Sequence, residues 1–374
     1  MRSPIRYDKR SRTLKAHNQK KPLMITVFTP SFADEANTNA QNLTAKEIVS
    51  RLPPDRFRVI LLAGGTPDPR ILARENTETL PWTRHGNTAR CLTRLLLSKI
   101  DIYFFPREGP LDTMFLFFRR FPGLPIALVT YIVMALDEID VGPTMTRSIR
   151  EADLVFGNSR YVSQTVQDRF GVETRTIYSG IKRDLFHPPI EARRSGSKLT
   201  VLYAGSFQAR KRVNLVIREA AKWPAVEFRL VGKGEEEEKC RALVAELGCR
   251  NVTFVGHLSQ QGLAQEMQKA DVFLFPSVLE GHPQVLGQAA ACGLPAVVME
   301  KYRPDYVVQG ETGYLVKSES ELSLKLGLLL SDQELRFKMS AAAVQHSAQF
   351  DWDKVARDWE NVFVEAASKR RKKH

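Results

Sequence analysis

The chain reads as an α/β protein of two doubly wound domains, and three observations carry that reading. Apolar runs of strand length alternate with amphipathic helical runs along nearly the whole body, as in parallel sheets covered by helices. The length of 374 residues accommodates two ordinary domains. The segment Phe186–Lys198, FHPPIEARRSGSK, has Pro-Pro, Gly-Ser and no hydrophobic period, so it divides the chain near residue 190.

In the first half, strands are expected at Leu23–Phe28, Arg58–Leu62, Ile102–Phe105, Ile126–Ile132, Leu154–Gly157 and Arg175–Tyr178. Helices are expected at Asn39–Arg51, Thr88–Ser98, Leu111–Phe121 and Tyr161–Phe170. In the second half, strands fall at Leu199–Tyr203, Glu227–Val231, Val252–Val255, Val272–Phe275, Ala296–Met299 and Gly313–Leu315. Helices lie between them, and three more follow at Glu321–Leu330, Asp332–His346 and Trp352–Ala367. No apolar run approaches the roughly 20 residues of a membrane span. The N-terminus is basic with no apolar region behind it, so no secretory signal is read there.

Chemistry concentrates in Ala270–Val298, ADVFLFPSVLEGHPQVLGQAAACGLPAVV. The apolar run Asp271–Phe275 ends in Pro276-Ser277, a loop presents Glu280 and Gly281, and a helix begins near Pro283. Pro283 suits a first helical position, where its missing N–H costs nothing. Glu280 can accept hydrogen bonds from hydroxyls, while the free amides around Pro283, Gln284 and Val285 can receive an anion. A ligand with hydroxyls at one end and phosphate at the other, such as a nucleotide-sugar, suits both.

A second cluster follows the strand at Val201–Tyr203: Gly205, Ser206, Phe207, Gln208, Ala209, Arg210, Lys211 and Arg212. Fixed cations leading into a helix can offset the charge of a diphosphate, though alone they read equally as a solvated basic turn. Gly232-Lys233-Gly234 reads as a tight strand–helix turn, since Glu235–Glu238 behind it oppose an anion. Gly256 allows close backbone approach, and His257 beside it reads as a base contact or an ordinary loop histidine. Asp351-Trp352-Asp353 is a D-x-D, but it opens a helix, so Asp351 reads as an N-cap.

The Glu280 segment resembles the donor site of GT-B glycosyltransferases, in particular retaining family 4. The family pattern is P-S-x-x-E-G-x-x-x-x-x-x-E-A-x-A-x-G-x-P. Pro276, Ser277, Glu280, Gly281, Ala289, Ala291, Gly293 and Pro295 match it, and Gln288 stands where the second glutamate is usual. The resemblance implies two Rossmann-like domains facing a cleft, with the last helix crossing back onto the first domain. The expected division is a basic tail at 1–22, an acceptor-side domain at 23–190 and a nucleotide-sugar-binding domain at 191–350. A crossing helix at 351–368 and a basic tail at 369–374 complete it.

The resemblance also implies roles for these residues. Glu280 would orient the donor sugar. Lys211, with Arg210 or Arg212, and the amides near Gln284 would hold the leaving diphosphate. Ser206 stands where an arginine is usual, with Arg210 as a replacement. Gly205 lies in this loop, Gly256 and His257 would meet the nucleobase, and Gln288 would face the ribose. On the acceptor side the family's glycine pair is replaced by Asp34–Asn39, and Tyr131 takes the place of a usual histidine. Tyr131 and Asn39 are the weakest candidates. No metal or other cofactor is expected, because cations and a helix terminus supply the charge.

The net charge of +13 is concentrated at the ends. Residues 1–22 hold eight Lys/Arg against one Asp, and residues 369–373 are KRRKK, leaving the body near neutral. Such tails read as arms drawn to an acidic membrane leaflet or as solvated ends with no partner. Nucleic acid is disfavoured because the tails hold almost no aromatics for stacking. The four cysteines form no C-x-x-C and have no His cluster beside them, which argues against a metal site or disulfide framework and makes a reducing cytoplasm the default expectation. The expectation is therefore a cytoplasmic retaining glycosyltransferase, peripheral on the inner membrane face if the tails engage it. Its partners would be a nucleotide-sugar and a glycan or lipid-linked acceptor. The rivals are a non-catalytic scaffold of the same fold and a membrane-associated assembly subunit.

Overall fold

The computed structural model describes residues 24–35, 40–82, 93–94, 97–106, 109–120, 126–136, 140–189 and 198–373. Among them, seven strands form a parallel sheet in the first domain: β1 (Ile25–Phe32), β2 (Phe57–Ala63), β3 (Thr77–Pro81), β4 (Ile102–Phe104), β5 (Ala127–Ile132), β6 (Leu154–Gly157) and β7 (Thr174–Thr176). Their order is β3-β2-β1-β4-β5-β6-β7. Six more build the second parallel sheet: β8 (Thr200–Ala204), β9 (Glu227–Val231), β10 (Val252–Gly256), β11 (Val272–Phe275), β12 (Ala296–Met299) and β13 (Gly313–Val316). Their order is β10-β9-β8-β11-β12-β13.

The central strands β5, β8, β11 and β12 are buried along their whole length, as strands covered by helices on both faces must be. Their Val, Leu, Ile and aromatic runs are what made them legible as strands. In each sheet the connection reverses direction, between β1 and β4 and between β8 and β11. At such a switch point the flanking loops diverge and leave a crevice beyond the carboxyl ends of the strands.

Among the described residues of the first domain, three elements escaped the sequence reading: the one-turn helix Pro69–Leu72, β3 and the helix Pro143–Arg150. β3, TETLP, is an edge strand paired only to β2, and its polar residues carry no apolar period. The helix Pro143–Arg150, PTMTRSIR, is equally polar and begins on its proline. β1 runs on to Phe32, beyond the expected end at Phe28, with its register shifted between Thr29 and Phe32 around Pro30. Of the expected helix Thr88–Ser98 only residues 93–94 and 97–98 are described, and 93, 94 and 97 are helical; most of the linker, the N-terminal tail and Asn39 lie outside the described residues.

The helix Trp352–Lys373 crosses back onto the first sheet. Asp351 caps it, its Oδ1 accepting from the Asp353 amide at 2.8 Å. Trp359 is fully buried, with its ring 4.8 Å from both Phe104 and Tyr131 and 5.3 Å from Phe156. Burying that indole beneath three strands anchors the C-terminus to the domain where the chain began.

The carboxyl ends of the two sheets face each other. Ser159, after β6, donates from Oγ to the Gly281 carbonyl at 3.2 Å. A Cβ added to Gly281 would lie 2.8 Å from the Val133 carbonyl and 2.9 Å from the Met134 Cα, both just after β5. Only glycine lets the two loops approach this closely. Across the same junction, Asp305 pairs with Arg160 and Tyr306 donates from its hydroxyl to the Ser179 carbonyl at 3.0 Å.

Candidate active site

The candidate site forms where β8 and β11 lie side by side at the switch point of the second sheet. β8 leads through Gly205 and Ser206 into a 3-10 turn at Ala209–Lys211. β11 leads through Pro276 and Ser277 to Glu280. Two hydrogen bonds join the loops: the Val278 amide donates to the Arg210 carbonyl at 3.1 Å, and the Arg210 side chain donates from Nη1 to the Leu279 carbonyl at 2.7 Å.

Three donors converge on one oxygen of Glu280. Lys211 Nζ, Arg210 Nη1 at 3.1 Å and Ser277 Oγ at 2.5 Å all donate to Oε1. Glu280 and Lys211 side chains are each about one-tenth exposed, whereas Arg210 is 40% exposed. Burial pushes the Lys211 ammonium below its ordinary range, and Glu280 pulls it back up. The Lys211 Nζ also lies over the Phe275 ring, 5.1 Å from its centre.

A layer of glycines backs this pair. Gly232 has φ +136°, and a Cβ there would lie 1.9 Å from the Gly205 carbonyl oxygen. A Cβ on Gly234 would lie 2.4 Å from the Phe207 carbonyl oxygen. The Gly232-Lys233-Gly234 stretch is thus a close-packed turn that holds the β8 loop in place. Gly256 has φ +83°, and its carbonyl accepts from the Gly232 amide at 2.8 Å. His257 next to it is exposed.

The remaining sequence candidates divide clearly. The helix is Gln284–Ala291, with Pro283 at its N-cap, one position earlier than expected. Pro283, Gln284 and Val285 are half-buried at that terminus. Gln288 lies one turn further along the same helix and is half-buried. Arg212 does not join Glu280. It adopts a left-handed backbone, φ +53°, and pairs with Glu319. Tyr131 sits in the core of the first domain, 2% exposed, donating its hydroxyl to the Ile177 carbonyl at 2.9 Å.

One residue of the loop was missed. His282 is buried, stacked 3.9 Å from the Tyr306 ring, and neither ring nitrogen has a hydrogen-bond partner among the described residues. Burial pushes its imidazole down to about 3. Nothing local distinguishes this histidine from a solvated one, because Tyr178, Tyr306 and Phe350 enclose it from distant points in the chain.

On the opposite edge of the cleft, Asp34 follows β1. Its carboxylate accepts from the Gly65 amide at 2.7 Å and the Gly64 amide at 3.0 Å. The first domain therefore presents, at this strand end, a carboxylate held by backbone amides.

This arrangement, two parallel α/β domains with opposed strand ends and a C-terminal helix returning to the first, is the GT-B fold of glycosyltransferases. Anabaena HepE, solved in complex with UDP, superposes with a TM-score of 0.74 at 18% identity, covering 91% of this chain and all of that one. Sucrose-phosphate synthase from Thermosynechococcus elongatus superposes at 0.73 and 18% identity, covering 91% and 98%. Residues 190–346, in the second half of the chain, match the glycosyl transferases group 1 family. A D-inositol 3-phosphate glycosyltransferase of Corynebacterium aurimucosum is 32% identical over 182 residues, 45% of this chain and 43% of that protein. The matches span about half the length of such curated relatives.

Proposed function

We propose that this protein transfers a sugar from a nucleoside-diphosphate sugar to an acceptor hydroxyl with retention of anomeric configuration, as family 4 enzymes do. The observation that carries the reading is the convergence of Lys211, Arg210 and Ser277 on Glu280 at the switch point of a group 1 domain. A nucleotide-sugar needs cations for its diphosphate and an acceptor for its sugar hydroxyls, and both are present within one hydrogen-bonded cluster. Lys211 and Arg210 would stabilise charge on the departing diphosphate, assisted by the amides at Gln284 and Val285. Their fixed charge supports a reaction that needs no metal ion. Glu280 would orient the sugar, and Gln288 would meet the ribose through its amide, which both donates and accepts. Gly256 and His257 at the end of β10 would border the nucleobase.

The test is thermal stability against a panel of nucleoside diphosphates and nucleotide-sugars. UDP comes first, because HepE was solved with it. A ligand at a hundredfold excess over its dissociation constant adds about 2.7 kcal/mol, a shift that a melt resolves. Stabilisation by one donor, abolished in Lys211→Ala, supports the reading. Flat curves for every donor sink it and favour a non-catalytic scaffold. The anomeric configuration of a transferred sugar, read by NMR coupling constants, then decides retention against inversion.

The acceptor is proposed to be a glycan or lipid-linked sugar reached at a membrane surface. The crossing helix runs unbroken through Lys373, carrying the basic C-terminal segment with it. Each basic residue near an acidic leaflet contributes about 1 kcal/mol. Salt-sensitive binding to phosphatidylserine vesicles, lost when residues 369–374 are removed, would support a peripheral cytoplasmic location. Equal binding by the truncated chain would refute the role of that tail.

A further inference from the structure

The cluster proposed for the donor also contains an ion pair of its own. Lys211 and Arg210, the cations offered to a diphosphate, are already engaged by a carboxylate of the same protein. We propose that Glu280 is an internal stand-in for the donor phosphate: it neutralises Lys211 and Arg210 in the empty site and is displaced from them when a nucleoside diphosphate binds. This inference rests on the donor-site reading above and concerns how that site is gated.

Three features support it. The first is that the contacts on Glu280 are one-sided. All three named donors meet Oε1, so the carboxylate is held at a single point and can pivot about it. The second is burial. An ammonium as enclosed as that of Lys211 requires a counterion, and burial already weakens its hold on the proton. A phosphate oxygen offers the same acceptor geometry with more negative charge, so exchange preserves the pairing of Lys211. The third is the contrast with Arg212, which is committed to Glu319 and outside the exchange.

The exchange couples two events. While Glu280 is held by the cations, its carboxylate is unavailable to a sugar. Phosphate on Lys211 and Arg210 releases it, so the sugar-orienting group is armed only when the diphosphate is in place. Ser277, fully buried and 2.5 Å from Oε1, acts as a positioning residue that retains Glu280 near the site during the change.

The prediction is counterintuitive for a residue proposed to serve the donor. Removing the charge of Glu280 should strengthen nucleoside diphosphate binding while abolishing transfer. Isothermal titration of UDP, GDP and ADP into wild type, Glu280→Gln and Ser277→Ala measures it, with the parent nucleosides as controls. Expected is an affinity about tenfold higher in Glu280→Gln for the recognised diphosphate, a smaller gain in Ser277→Ala, and no gain for the nucleoside. A diphosphate affinity that is unchanged or reduced in both variants, with wild type binding normally, overturns the stand-in role and leaves the donor site standing. An equal gain for nucleoside and diphosphate also overturns it, because the effect would not act through phosphate. Absence of diphosphate binding in wild type and both variants overturns the donor-site reading and this inference together. Ser277→Ala keeps the test open if Glu280→Gln fails to fold.

Discussion

Two carboxylates close strand-end loops on opposite sides of the cleft, and they are held in opposite ways. Asp34, after β1, is satisfied by the backbone amides of Gly64 and Gly65. Glu280, after β11, is satisfied by the side chains of Lys211, Arg210 and Ser277. Backbone amides cannot leave without unmaking the turn that presents them, so Asp34 is a structural cap. Side-chain cations can change partner without moving the fold, so Glu280 sits in an exchangeable contact. The same residue chemistry is architecture in one domain and a candidate site in the other. What separates them is whether the donors belong to main chain or side chain.

The glycines behind the two loops differ most in what a side chain would meet. Gly232→Ala would set a Cβ 1.9 Å from the Gly205 carbonyl in a left-handed backbone. It should cost about 3 kcal/mol or more in denaturant unfolding and remove nucleotide binding. Gly64→Ala would place its Cβ 3.6 Å from Asp34 Oδ2, an ordinary contact, and should cost less than about 1 kcal/mol. Similar losses at both positions would show that the two loops are equally tight.

The next effect depends on pH and belongs to the Glu280 loop alone. His282 titrates near 3 in the folded protein, against about 6.5 when unfolded. The unfolded chain therefore binds the proton more readily, so the stability from neutral His282 is present above about 6.5 and is lost as pH falls towards 3. The slope approaches about 1.4 kcal/mol per pH unit within that window. In His282→Phe the stability–pH curve should lose this slope relative to wild type. Parallel curves for the two proteins would show that the imidazole is not held neutral.

Smaller effects test the caps directly. Asp34→Asn should lower stability by about 1–2 kcal/mol through its weakened amide contacts, and leave nucleotide affinity unchanged. A large change in affinity would make Asp34 part of the site. Arg212→Ala removes an exposed contact to Glu319 and should change nucleoside diphosphate affinity less than threefold. A loss matching that of Lys211→Ala would place Arg212 on the diphosphate.

The second domain was legible almost residue by residue. Strands β11 and β12 fall where their apolar runs lie, because full burial on both faces leaves an unmistakable pattern. The first domain was legible except where polar composition hid β3 and the helix Pro143–Arg150, and where the helix Pro69–Leu72 is too short to show a period. Within the site, the meeting of the Gly205–Arg212 and Pro276–Pro283 loops follows from β8 lying beside β11, a non-local pairing that motif spacing alone does not display. Lys211 was read as a diphosphate ligand, and its pairing with Glu280 appears only in the fold.

By itself the sequence determined the α/β class, the division into two domains and the residue types at the Glu280 loop, because hydrophobic period, linker composition and local motif are properties of neighbouring residues. Tertiary structure decided which of three adjacent cations faces Glu280, that Tyr131 is core, and that His282 is enclosed and uncharged. Each of those outcomes turns on groups brought together from distant parts of the chain. Arg212 is turned to Glu319 by a left-handed residue after the 3-10 turn, and His282 is enclosed by Tyr178, Tyr306 and Phe350. Contacts of that kind are set by how elements pack, which no local pattern of side chains specifies.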